Sequence, residues 1–102
     1  MTRDEHADMT LPVTEVFEAA NRDESIIAVV GCRGESRGVR LGPEAMELSD
    51  GELAIRIVEL TTLAHLRAQL ALRRKLEAAH ACVDPGLATG EQVRAFEDLI
   101  DF

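Results

Sequence analysis

Any fold open to this chain has to accommodate the stretch from Leu48 to about Cys82. It opens with Ser49 and Glu52 at the spacing of a capping box, and Leu48 and Leu53 stand where a hydrophobic staple would close. Between Gly51 and Ala81 there is neither proline nor glycine, and Leu, Ala, Arg, Glu and Lys dominate. The pattern predicts roughly 30 helical residues, about 45 Å at the rise of an α-helix. A compact chain of this length has a radius of gyration near ~13 Å, so a helix with that reach must project, bend or lie against a second copy.

The helical wheel sharpens this expectation. Leu53, Ile57, Leu60, Ala64 and Ala71 form one stripe, Ile55, Leu63, Leu66 and Leu70 a second, and Val58, Leu72 and Leu76 the remaining side. An apolar band that nearly encircles a helix is read as buried on more than one side. One face is expected to cover a small sheet and another to meet a second chain, with Ile57, Leu60, Leu63, Ala64 and Leu70 as the expected dimer interface. The competing arrangement packs the helix between a sheet and the chain's own C-terminal segment.

Ahead of the helix the hydrophobic period changes. Residues 1–12 are polar and acidic with no apolar period and read as a disordered arm. Residues 13–82 form the sheet-plus-helix domain, and residues 83–102 a turn and a short helix. Val13–Ala20 suits a strand or a helix; the strand is preferred because Asn21-Arg22-Asp23-Glu24 reads as a turn into the next one. In Ser25–Cys32 the residues Ile26, Ala28, Val30 and Cys32 alternate with Ile27 and Val29, so both faces are apolar and are expected to be at least partly covered. Gly31 to Ser36 supply a tight connection, and Arg37–Leu41 resumes with Val39 and Leu41 on one side and Arg40 on the other. Gly42-Pro43 stops that strand, and Glu44–Met46 read as a helical turn. After the long helix, Asp84-Pro85-Gly86 is a breaker. Thr89 and Gln92 then have capping-box spacing at the head of a short amphipathic helix. Its apolar residues Val93, Phe96, Leu99 and Ile100 are docking candidates, either on the long helix or on another protein. The expected class is α+β: a small antiparallel sheet of about three strands, one long helix and one short one.

Composition limits the partners. The formal charge of −8 disfavours polyanions. It is concentrated at the ends, whereas Arg33, Arg37 and Arg40 and the group Arg67, Arg73, Arg74 and Lys75 are locally basic. Two cysteines, Cys32 and Cys82, do not make a secreted disulfide framework. The first residues carry acids where a secretory signal needs an apolar run, and no stretch approaches the ~18 apolar residues of a membrane span. A cytoplasmic protein with no membrane partner is expected.

The order strand, strand, strand, long helix, with Val39, Leu41 and Pro43 closing a hairpin and Leu48-Ser49 through Leu53 opening the helix, resembles the YbaB/EbfC superfamily of small bacterial proteins. The likeness covers about residues 14–80. Phe17, Asn21 and Ser25-Ile26, followed by the leucine-rich run from Leu53 to Ala68, resemble more specifically actinobacterial, particularly mycobacterial, ESX (type VII) secretion-associated proteins of the EspD and EspH kind. The resemblance implies a YbaB-like homodimer paired across a two-fold axis, and it implies either a secretion-related protein partner or DNA binding of the nucleoid-associated type. Two features depart from the YbaB pattern: no long helix precedes the first strand, and the charge is acidic.

Sites for chemistry are sparse. Gly31, Gly34 and Gly38 fit no phosphate-loop spacing and read as turn glycines. His80 and Cys82 fall short of the four ligands of a structural zinc site. Neither cysteine has a positioned base in view, and His65 reads as a packing or interface residue. No cofactor, metal or catalytic residue is expected. Arg56, Arg67 and Arg74 fall within about 20° on the wheel, and with Lys75 they are the candidate contacts for a protein partner or for DNA. Leu60 and Leu63 share that stripe, which favours an interface where Arg stems lie on apolar surface. The leading expectation is a non-catalytic, dimeric protein-interaction factor, accessory or chaperone-like, linked to type VII secretion; a YbaB-like DNA-binding protein is the alternative.

Overall fold

The computed structural model describes residues 15–102, so the arm expected over residues 1–12 and the first two residues of the expected first strand lie outside the described residues. Strands β1 (Val16–Ala20), β2 (Ile26–Gly31) and β3 (Ser36–Leu41) form one antiparallel sheet in the order β1-β2-β3. A 3₁₀ turn over Pro43–Glu47 leads to helix α1 (Asp50–Ala78), and a loop leads on to α2 (Gly90–Leu99). The choice of strand over helix for the first segment therefore stands.

The β1–β2 connection is a small polar knot. Asn21 donates from Nδ2 to Ser25 Oγ (3.0 Å) and accepts the Ile26 amide on Oδ1 (3.0 Å), so two buried polar residues satisfy one another. Glu24 takes the left-handed conformation (φ 60°) that the turn needs. Asp23 accepts the Ser25 amide at 3.0 Å. Hydrogen bonding from the Ser25 side chain, then from its backbone, holds the Asp23 carboxyl below the usual carboxylate range. A carboxyl depressed on folding contributes stability that is complete above its unfolded value near ~3.9 and is lost as pH falls through the folded value. A carboxyl-detected NMR titration is therefore expected to place Asp23 below ~3.9, and a midpoint at or above that value would remove the interaction.

In β2 the alternation comes out as Ile26, Ala28 and Val30 fully buried beneath α1 and Ile27 and Val29 half-buried on the other face. Among the described residues no helix covers that outer face; the Arg40–Glu18 ion pair lies across it from β3 to β1. The molecule measures 45 × 36 × 18 Å. Eighteen ångströms is the depth of one sheet and one helix layer.

Helix α1 runs unbroken for 29 residues. Ser49 Oγ accepts the Glu52 amide at 3.2 Å, while the Glu52 carboxylate meets the Ser49 hydroxyl (3.3 Å) instead of its backbone N–H, so only half of the expected box closes. The box at Thr89 and Gln92 closes completely. The helix stops at Ala78, a few residues short of the expectation, because His80 turns left-handed (φ 57°). The Ala81 and His80 amides then return to the Leu76 and Glu77 carbonyls, the two bonds of a Schellman stop.

Packing corrects the expected dimer interface. Leu60, Leu63 and Ala64 are buried within the single chain, and Ile57 and Leu70 pack against the same core half-buried. The reason is geometric: α1 lies over β1 and β2, and α2 folds back along its flank, so one chain covers the stripe that was assigned to a second. Helix α2 takes the fold-back alternative, with Val93 buried and Phe96 and Ile100 half-buried against α1; of its docking candidates only Leu99 remains exposed. The premise that one chain cannot hide so long a rod holds only for part of it, since Ile55 and Val58 stay more than 60 % exposed near its N-terminal end.

Candidate functional site

The two flanks of α1 are unlike. On one, Arg67 reaches the Glu18 carbonyl of β1 (2.7 Å) and the Glu97 carboxylate of α2 (2.7 Å), so this flank faces β1 and α2. On the other, His65 reaches the Gly34 carbonyl in the β2–β3 turn (3.2 Å), so that flank faces the hairpin. Val58 precedes His65 by seven residues and therefore shares its flank, about 10 Å nearer the helix start. Helix α1 packs extensively on β1 and β2 and hardly at all on β3. Every residue of β3 is exposed.

The strand register shows what β3 offers. Val39 stands opposite Ala28 and Leu41 opposite Ile26, which places both side chains on the helix-facing side of the sheet, where no helix among the described residues covers them. They remain 36 % and 43 % exposed. The Gly42 amide donates to Ser25 O at 2.7 Å. Antiparallel pairs alternate between hydrogen-bonded and non-hydrogen-bonded, so Arg40 and Gly38 bond inward to β2 while the N–H and C=O of Val39 and Leu41 point outward. Among the described residues none bonds to them. An extra residue, Arg37, bulges β3 beside Val29 and Val30, with Gly38 at φ 140° absorbing the bend, so the regular edge is the short run from Gly38 to Leu41. Its charges are already met, Arg40 by Glu18 and Arg37 by Glu35. Met46, 65 % exposed, follows directly in the 3₁₀ turn.

The basic stripe does not survive folding as a stripe. Arg56 stacks over the Phe102 ring at 4.7 Å, Arg67 is held between Glu18 and Glu97, and Lys75 pairs with Glu15 at 3.4 Å. Arg74 alone of the four candidate contacts is exposed with no ion pair among the described residues. Arg56 and Arg67, which shared a wheel angle with Arg74, are drawn apart because one finds the Phe102 ring and the other the Glu18 carbonyl and the Glu97 carboxylate.

The hairpin side also holds a polar node beside a cavity of about 160 Å³ lined by Cys32, Gly34, His65, Gln69 and Leu87, among others. Gln69 Oε1 accepts the Ala88 amide (3.1 Å), so its Nε2 donates to His65 Nε2 (2.9 Å), which must be the unprotonated nitrogen; Nδ1 then carries the hydrogen toward Gly34 O. Both ring nitrogens are thus engaged in tying the hairpin tip to the loop before α2. His65 is a structural tie, in line with the packing alternative of its reading. Among the described residues no group of three or more His, Cys, Asp or Glu is placed to hold a metal, and Cys32 and Cys82 are free thiols. No described helix is long and apolar enough to cross a membrane.

Sequence reasoning had put Val39 and Leu41 on one side of a strand but had not marked them as a surface. The alternation was visible; that β3 is an edge strand which the helix fails to cover was not. No protein-family model, no curated protein and no solved structure matches the chain.

Proposed function

We propose that this chain is a non-catalytic protein-interaction factor that works as a homodimer, and that the two copies meet along β3. The observation that carries the reading is the bare β3 edge. Outward-pointing backbone groups at Val39 and Leu41 coincide there with apolar side chains on the uncovered side of the sheet; Val58, on the flank of α1 that faces the hairpin, and Met46, in the turn after β3, are exposed as well. Exposed apolar edges are a liability that single-chain proteins usually blunt, so one left open at this site marks a pairing surface.

A two-fold arrangement suits the residues. With Arg40 of each copy opposite Arg40 of the other, Val39 of one faces Leu41 of its partner, the outward backbone groups satisfy each other, and four aliphatic side chains gather on the helix side. The two arginines meet on the outer face, where each is already neutralised by Glu18 of its own chain. That removes the repulsion which like charges directly opposite would otherwise bring.

The role supported by the resemblance of residues 14–80 is that of a cytoplasmic accessory or chaperone-like factor of type VII secretion. DNA binding has less behind it, since Arg56, Arg67 and Lys75 are engaged inside the chain and the formal charge is −8. Light scattering on the unmodified chain is expected to return the mass of two copies, and capture experiments in a type VII-secreting actinobacterium should recover secretion components. A single-chain mass at high micromolar concentration overturns the pairing. Tight, salt-resistant retention of duplex DNA would put the DNA-binding reading in its place.

A further inference from the structure

A three-stranded open sheet has two edges, and a chain that pairs through both would grow without limit. We propose that Arg67 and the Ile100–Phe102 segment block β1 against strand addition, so that assembly closes at two copies; this rests on the β3 reading. The Asn21 amide donates to Ile26 O at 3.2 Å, which makes that pair hydrogen-bonded. By alternation the Ala19–Ala28 and Phe17–Val30 pairs are hydrogen-bonded too, so Val16, Glu18, Ala20 and Arg22 present their backbone groups outward. Two of these outward groups are occupied. Glu18 C=O accepts from Arg67 Nη1 at 2.7 Å, and Arg22 N–H donates to Phe102 O at 2.8 Å.

Both blocks are braced from behind. The Arg67 guanidinium is fixed through its second nitrogen by Glu97 on α2, so it bridges α1, β1 and α2. The Phe102 ring lies under the Arg56 guanidinium at 4.7 Å, which pins the segment whose carbonyl occupies Arg22. A strand approaching β1 would have to displace a charge-assisted hydrogen bond at Glu18 and a backbone bond at Arg22 before gaining its own ladder. At β3 it would displace nothing among the described residues. The difference between the two edges, more than the strength of either, makes a closed pair the end point.

The test replaces Arg67 with Met, which keeps most of the stem and removes both hydrogen bonds, beside a Glu97→Gln control that leaves the bond to Glu18 in place. Circular dichroism confirms folding, and sedimentation velocity over a concentration series reads assembly. The unmodified chain and E97Q are expected to stop at two copies, while R67M shifts to species of four or more, with the weight-average mass rising about twofold or further as pairs join through β1. A folded R67M that stays at two copies overturns the proposal. So does E97Q growing as R67M does, because loosened docking of α2 would then be the cause. If the unmodified chain is single, the β3 reading fails by itself: R67M forming pairs would still uphold the block at β1, and R67M remaining single would overturn it.

Discussion

Leu60→Ala is expected to lower the unfolding free energy by about 2–5 kcal/mol, toward the upper part of that range. Leu60 is completely buried, and with Ile26 and Val30 it is among the largest side chains so enclosed. The core to which it belongs is built largely of alanine: Ala19, Ala28, Ala45, Ala64, Ala68 and Ala88. Alanines bring the helix and sheet backbones close together and have no rotamers with which to fill a vacated volume, so the cavity left by a deleted leucine persists. Against a total of about 5–15 kcal/mol for a domain of this size, such a loss brings the variant near the limit of remaining folded at 37 °C. Urea denaturation followed by circular dichroism measures it. Leu60→Met, which conserves volume, should cost less than about 1.5 kcal/mol. An alanine variant within about 1 kcal/mol of the parent would mean that Leu60 is not the centre of the core. Because the residue lies inside one chain, the folded fraction of L60A should still pair.

The second large effect is the converse. Val39→Lys combined with Leu41→Lys should leave the stability of a single chain within about 0.5 kcal/mol, since both positions are substantially exposed and lysine is a common guard of edge strands. Across a two-fold seam the same changes bring four ammonium groups together at positions that pairing would desolvate. Repulsion and the cost of desolvating unpaired charge act together, and the dissociation constant of the pair should rise at least about a hundredfold, corresponding to about 2.8 kcal/mol. Sedimentation equilibrium reads the change directly. A double variant that pairs as tightly as the parent would move the seam away from β3, toward the exposed helix residues Ile55 and Val58 or the open outer face of the sheet. Taken with L60A, the experiment separates what holds the chain together from what joins two chains, two roles that the helical wheel had merged in one stripe.

The legible parts of this protein were those with short-range causes. The alternation of Ile26 to Val30, the turn residues from Asn21 to Ser25, the caps at Ser49 and Thr89 and the breaker at Asp84-Pro85-Gly86 act over a few residues, and each produced the expected element. The stop of α1 was placed late because no glycine marks it; His80 takes the left-handed position that glycine usually fills. The tie from Gly34 through His65 and Gln69 to Ala88 gave no advance signal, since the spacing of His65 and Gln69 says only that they are neighbours on a helix. The Arg67 bridge was equally hidden, as its partners lie 49 and 30 residues away in sequence.

The residue pattern by itself settled two strands, a long capped helix and a short one, because backbone conformation and apolar period are local properties; over Val13–Ala20 it favoured a strand without excluding a helix. Which partner covers each face was decided only in three dimensions. Periodicity tells that Leu60 and Ala64 avoid water, not that β1 and β2 of the same chain are what shields them, and it cannot tell that the helix passes β3 by. Burial depends on the separation and angle between whole elements, set by side chains distant in the chain, and so the open edge at Val39 and Leu41 and the closed one at Glu18 and Arg22 came into view only with the tertiary fold.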